Sequence, residues 1–410
     1  MAVYIFKSLT IFGVFLLGAG YFLFEDGYRY GAIILALTGL ASIRDWQWQD
    51  YGLRILCLGM LFPLLSGAMV VWHEGWGSRA SMYISILAAL PIFLAVRQFK
   101  PDIRWLLWGA AVGAITAGGI ALYDTVILSK SRAGGLMNPI KFGNMALFMA
   151  CVALVVVLFP LKNRSLPSLF FFLLAAFFGL LASLLSESRG GWLALPVLVF
   201  FYALWALPVL GWRRIGFGLG ITTSLAAVAL FSNLLGMTDR IMQAWLEWDN
   251  YHSINTTSIG HRINMWLLSV DMIRELPFLG HGDAAFGYRT EQLHALGGIS
   301  FAGDFNHPHN DLLNSWVRHG IFGVISLLVA LIAPMIWFWR SSRIDSRNVC
   351  VPLIGFLLCL CLLVFGQTQV FLGSKSMTVT YYAWLAVLLA YGPCHCDLSK
   401  RGIEKLSRSS

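Results

Sequence analysis

Seven of the nine histidines of this chain lie between residues 252 and 319: His252, His261, His281, His294, His307, His309 and His319. Imidazole is the side chain that exchanges a proton near neutral pH, so the skew marks this stretch for general acid–base chemistry. A polar loop collects polar residues in any case, and a lone histidine there says little. The run Asn306-His307-Pro308-His309-Asn310-Asp311 says more, because it abuts an apolar stretch whose helix end can hold a side chain firmly. A His-x-His pair also raises metal binding. Zinc takes three or four ligands, however, and neither His-Glu-x-x-His nor Cys-x-x-Cys occurs. The tripeptide Cys394-His395-Cys396 stands alone near the C-terminus. No metal site and no cofactor are expected.

Two arginines stand out by position. Arg189, in Ser186-Glu187-Ser188-Arg189-Gly190-Gly191, falls in a very short polar turn between two apolar runs, and Arg262 opens the segment Arg262-Ile263-Asn264-Met265-Trp266. Guanidinium grips phosphate through paired hydrogen bonds, so two converging arginines can clamp a pyrophosphate. An arginine at a helix end also reaches for ordinary lipid headgroups, and both readings stay open at this point. Arg132, Lys141, His307 and Asn310 are secondary candidates. A pyrophosphate leaves as a stable anion, so displacing it needs only a base for the attacking hydroxyl and cations for the leaving group. The chain has no Walker loop, no G-x-S-x-G elbow and no dinucleotide fingerprint, which argues against an ATP-driven pump, a serine hydrolase or a nicotinamide enzyme.

The elements that must position these residues are membrane helices. Of 410 residues, 58% are hydrophobic and 12% charged, a composition that excludes a soluble globular fold. At about 20 residues per span, hydropathy predicts twelve spans near 9–24, 28–43, 52–72, 80–96, 104–127, 142–160, 166–185, 191–210, 214–235, 320–339, 349–368 and 376–393. An even number puts both termini on one side. Placing them in the cytoplasm puts the larger share of the 29 Lys and Arg residues inside, as the positive-inside rule requires. The formal charge of +9 is then a matter of topology, and no nucleic acid is expected as a partner. The expected organisation is spans 1–9 over residues 1–235, a large outer loop over 236–319, spans 10–12 over 320–393 and a cytoplasmic tail over 394–410. The loop contains Trp245, Trp248, Trp266, Phe278, Phe286, Tyr288, Phe301 and Trp316, which call for burial and so for a folded cap. Ile263, Trp266, Leu267, Val270 and Ile273 recur at helical spacing between Ser258 and Pro277, predicting an amphipathic helix.

These segments resemble the O-antigen ligases, within the group that also holds O-antigen polymerases and protein O-oligosaccharyltransferases. The resemblance rests on Ser186 to Gly191 with Arg189, on Arg262 to Trp266, on Pro277-Phe278-Leu279-Gly280-His281-Gly282 with Phe286, and on His307-Pro308-His309-Asn310-Asp311-Leu312-Leu313 followed by Gly320 and Gly323. It implies an all-α polytopic membrane protein of the GT-C-like glycosyltransferase type, with about 12 transmembrane helices and one large periplasmic loop containing short helices. It also implies metal-independent, inverting transfer of a glycan from undecaprenyl pyrophosphate to a hydroxyl of lipid A–core oligosaccharide, on the periplasmic side of the bacterial inner membrane. Carried over by position, His309 is the general base and Arg189 and Arg262 hold the pyrophosphate. Related sequences often carry an acidic residue shortly before the glycine that opens the tenth span, where this chain has Arg318-His319-Gly320. The alternatives are an O-antigen polymerase using the same donor, a protein O-oligosaccharyltransferase or a secondary transporter. A transporter would lead one to expect internal repeats and mid-membrane charges, and the sequence offers no clear repeat and few such charges.

Overall fold

The computed structural model describes residues 2–41, 50–75, 80–159, 165–188, 190–205, 258–296, 305–344 and 349–392, with isolated positions between 207 and 246. The regular structure among them is helical: α1 Ala2–Leu23, α2 Tyr28–Leu40, α3 Tyr51–Glu74, α4 Ala80–Ile86, α5 Ala89–Phe99, α6 Arg104–Leu122, α7 Pro139–Leu158, α8 Leu166–Leu185, α9 Gly190–Trp205, α10 Ser258–Glu275, α11 Ala285–Ala295, α12 Asp311–Ile344, α13 Cys350–Phe365 and α14 Lys375–Ala390. The protein is an all-α, polytopic membrane protein.

Local sequence sets where the helices begin. The Asp50 carboxylate accepts from the Gly52 and Leu53 amides to start α3. Asn138 caps α7 ahead of Pro139, and Ser165 caps α8 ahead of Pro167. Each side chain satisfies amides that have no partner within the first turn, and proline is tolerated there because its missing N–H is not needed. Apolar residues also line the outside of the bundle. Along α8, Leu166, Phe170, Leu173 and Phe177 repeat at helical spacing and are exposed, a stripe suited to lipid rather than to water.

Seven helical stretches among the described residues are long and apolar enough to cross a membrane: Val3–Leu23, Tyr51–Val71, Ser81–Phe99, Arg104–Ile127, Pro139–Leu158, Leu166–Leu185 and Asp311–Arg343. Gly190–Trp205 and Cys350–Phe365 are apolar but shorter. The spans predicted at 28–43 and 376–393 correspond to helices of 13 and 16 residues. At 1.5 Å per residue, 13 residues reach only about 20 Å of a core roughly 30 Å thick. The span predicted at 214–235 lies outside the described residues, apart from Gly216.

Helix α1 packs on α6 and α2, α6 on α7 and α8, α3 on α12, and α14 on α5. Gly18 and Gly109 let the α1 and α6 backbones touch: a Cβ on Gly109 would overlap the Phe15 carbonyl, and one on Gly18 the Ala110 amide. Small residues at such crossings gain the close van der Waals contact that drives helix association in lipid. Helix α14 is buried along nearly its whole length, from Met377 to Ala390. Its C-terminal carbonyls, at Ala390 and Gly392, accept from Arg97 Nη1, and Arg97 Nε donates to Asp50 at 2.6 Å, tying α5 to the start of α3 and the end of α14.

Between α9 and α12 lies a second, smaller core of Met265, Met272, Phe286 and Val317, with Leu268, Ile273 and Phe305 against it. Helix α10 contains the predicted periodic segment, but it buries a different face. Met265, Ser269 and Met272 point inward, whereas Leu267 and Val270 are exposed. The two faces are similarly apolar in sequence, and contact with Phe286 and Val317 decides between them. Helix α12 begins at Asp311, ahead of the predicted span, and bends at Gly320, where the backbone is left-handed (φ 62°).

Candidate active site

The histidine pair occupies the turn that leads into α12. Asn310 caps this helix, its Oδ1 accepting from the Leu312 and Leu313 amides at 2.9 and 3.1 Å, so its side chain is committed to structure. Immediately before it, His309 adopts a left-handed backbone conformation (φ 52°). Such a conformation costs about 1 kcal/mol or more in a non-glycine residue and persists where the surroundings impose it. Here they do. Trp266 Nε1 on α10 donates to the Pro308 carbonyl at 3.0 Å, the His309 amide donates to His307 Nδ1 at 3.3 Å, and the Asp311 amide donates to the Gly366 carbonyl at 2.7 Å.

The two imidazoles meet edge to face, with centroids 4.4 Å apart, and Phe305 flanks His309 at 5.8 Å. Both rings are half-buried and disfavour charge. Burial, reinforced by the nearby Arg262 guanidinium, pushes the His309 pKa down to about 4, partly opposed by a hydrogen bond with the Gln369 side chain. Burial, then His309, Arg318 and Lys141 in turn, lower His307 to about 3. Both are therefore neutral at pH 7, and a neutral imidazole can accept a proton.

Cations converge on this pair from three elements. Arg262 comes from the first turns of α10, Lys141 from the first turn of α7, and Arg318 from α12. Of the residues singled out from sequence, His307, His309, Arg262 and Lys141 are brought together. Arg132 is held on the 186–188 turn: its Nε donates to the Ser186 carbonyl at 3.0 Å and lies 3.9 Å from Glu187. Arg189 lies outside the described residues. Its neighbours are anchored beside the site, Ser188 Oγ donating to Asn144 Oδ1 at 2.9 Å and Gly190 packing against Thr368 with no room for a Cβ.

Sequence reading passed over Gln369, Asp283 and the part played by Arg318. Gln369 and Thr368 belong to the turn between α13 and α14, where the polar residues of Gly366-Gln367-Thr368-Gln369 interrupt an apolar run. That interruption was the available signal. Asp311 holds this turn, its Oδ2 accepting from the Phe371 and Leu372 amides at 3.0 and 3.2 Å. Three of the other described histidines serve structure or surface. His281 Nε2 meets the Met272 carbonyl at 2.7 Å, His319 Nε2 meets Tyr83 Oη at 3.1 Å, and His294 is exposed. Among the described residues, no three His, Cys, Asp or Glu side chains gather as a metal would require.

Residues 174–328 match the family model described as O-antigen ligase. The matched stretch runs from within α8 to within α12 and contains Arg189, Arg262 and His309. The chain is also 24% identical over 367 residues to an uncharacterized protein of Haemophilus influenzae, covering 87% of this chain and 92% of that one. The matched stretch, which holds the histidine pair, Arg262 and Arg318, is thus similar to the O-antigen ligase family.

Proposed function

We propose that the protein transfers a glycan from undecaprenyl pyrophosphate to a hydroxyl of lipid A–core oligosaccharide, at the periplasmic face of the bacterial inner membrane. The family match carries the coarser part of this reading, glycan transfer of the ligase or polymerase type. The observation that carries the rest is a neutral, half-buried His309 among Arg262, Lys141 and His307. In the proposed step the acceptor hydroxyl oxygen attacks the anomeric carbon as the bond from that carbon to the pyrophosphate oxygen breaks. His309 takes the hydroxyl proton, and undecaprenyl pyrophosphate leaves as an anion. A single displacement inverts the anomeric centre. Arg262 and Arg189 hold the pyrophosphate, Lys141 adds positive charge near His307, and no metal is invoked. A donor bound against Arg262 offsets the charge that depresses His309, so the imidazole becomes a stronger base once the donor is in place.

The test is the lipopolysaccharide pattern of a strain lacking the gene, complemented with the wild-type chain or with His309→Ala. Loss of the whole ladder, with polymer accumulating on the carrier lipid, is expected for both the deletion and the variant. Removal of a general base costs about 10²–10⁴-fold. Core bearing a single repeat would indicate a polymerase instead, and a near-normal ladder from His309→Ala would remove that residue from the mechanism.

A further inference from the structure

Behind the histidine pair lies a buried ion pair. Asp283, on the turn between α10 and α11, is 2% exposed, and its Oδ1 is 3.6 Å from Arg318 Nη1 and 3.9 Å from His319 Nε2. Arg318 is itself 4% exposed. It shares one face of α12 with Asp311 and Asn314, which are also buried, and this polar stripe faces the turn at residues 366–374. Asp311 bonds that turn through the Phe371 and Leu372 amides, while Asn314 and Arg318 crowd Gly373. The same turn carries Gln369, which bonds His309.

Arg318 has somewhere else to go. A cavity of about 60 Å³ opens beside it, with Ser66, Tyr83, Asn314, His319 and Thr378 in its wall. That is room for several water molecules, at roughly 10–15 Å³ each. The backbone of the 277–283 segment is clipped to the helix bend by His281 N to Val317 O at 2.7 Å, Gly282 N to Arg318 O at 3.0 Å and Ile321 N to Pro277 O at 3.0 Å. The carboxylate therefore has a fixed position from which to hold the guanidinium out of the cavity.

We infer that Asp283 is a positioning residue: it pins Arg318 against the 366–374 turn, and through that turn and Gln369 it sets the orientation of His309. This rests on the reading of His309 as the base. The charged and titratable groups around Arg318 are Asp283, His319, Tyr83, Asp311, His307 and Lys141. Asp283 approaches Arg318 from outside α12.

The experiment compares the purified full chain with Asp283→Leu, Arg318→Met and the double variant, using a lipid-linked glycan pyrophosphate as donor and lipid A–core as acceptor. Each single change leaves a buried charge uncompensated and lowers Tm. Replacing both with apolar side chains of similar volume returns Tm toward wild type. A positioning role keeps kcat of the double variant at least 10-fold below wild type with donor KM within threefold. Recovery of kcat along with Tm would overturn it. A second readout does not depend on turnover: the rate at which diethyl pyrocarbonate modifies His309 in Asp283→Asn, followed by peptide mass spectrometry. It rises at least threefold, with exposed His294 and hydrogen-bonded His281 unchanged. An unchanged His309 rate, or a parallel rise at His281 reporting local unfolding, would overturn the inference. Absence of transfer by the wild-type chain would instead sink the reading of function, and the modification rates would still decide the positioning role.

Discussion

His309 combines two costs that a purely structural residue would shed: a left-handed backbone and a half-buried imidazole near a guanidinium. The second can be measured without substrate. In the unfolded chain both imidazoles titrate near 6.5, whereas in the fold His309 and His307 are held down to about 4 and about 3. As pH falls from 6.5 toward 4, the unfolded state binds protons that the folded rings refuse. Stability is therefore present in full above about 6.5 and is progressively lost on acidification through this window. Tm of the purified protein is expected to fall over that range, and the double variant His307→Asn/His309→Asn to fall less steeply. Identical slopes would mean that the two rings titrate as in free peptide. The sequence named both histidines and Arg262, because their types and their placement beside an apolar run are local facts. It could not rank Lys141 or find Gln369. Lys141 lies more than a hundred residues from His307 in the chain, and only the packing of α7 brings it there.

At the level of elements, the decisive feature is the bend in α12. Gly320 has φ 62°, and a Cβ there would overlap the Phe278 carbonyl. The Pro277–Gly282 segment can lie on the helix because position 320 has neither a side chain nor a right-handed backbone. Gly320→Ala is expected to destabilise the protein by about 1–3 kcal/mol, from backbone strain together with displacement of Phe278. Gly119→Ala on α6, where nothing lies within 4 Å, is the control and should stabilise by about 0.5–1 kcal/mol through helix propensity. Thermal unfolding of the two variants checks the contrast; similar shifts would mean that the bend carries no tertiary load. Sequence placed a boundary at Gly320 because the apolar run starts there. It missed the helical turns from Asp311 onward, whose Asp311, Asn314 and Arg318 look like loop polarity until their burial is seen.

Among the described helices, the buried α14 packs against α1 to α5 and α13, and the histidine site lies at the start of α12. The orientation proposed from the charge distribution puts that end outside the cytoplasm. Tyr288→Cys on α11, which is 63% exposed, is expected to react with a membrane-impermeant maleimide in intact spheroplasts. Arg343→Cys, exposed at the far end of α12, should react only after permeabilisation. The reverse pattern would invert the topology and exclude a periplasmic site. Among the described residues, Cys151, Cys350, Cys359 and Cys361 are buried and contribute little background labelling.

Sequence alone determined that this chain lives in a bilayer, because apolar content and its run lengths are summed locally and need no fold. It also placed a histidine pair just before α12 and Arg262 in the first turns of a helix, since residue type, capping and periodicity are read within a few positions. Tertiary structure decided which face of α10 is buried. It also decided that Asn310 is a cap, that Lys141 and Gln369 stand with the histidines, and that Asp283 answers Arg318. Those outcomes depend on contacts between residues far apart in the chain. Contact in three dimensions is fixed by how helices pack, and hydropathy specifies that a helix is buried without specifying against what.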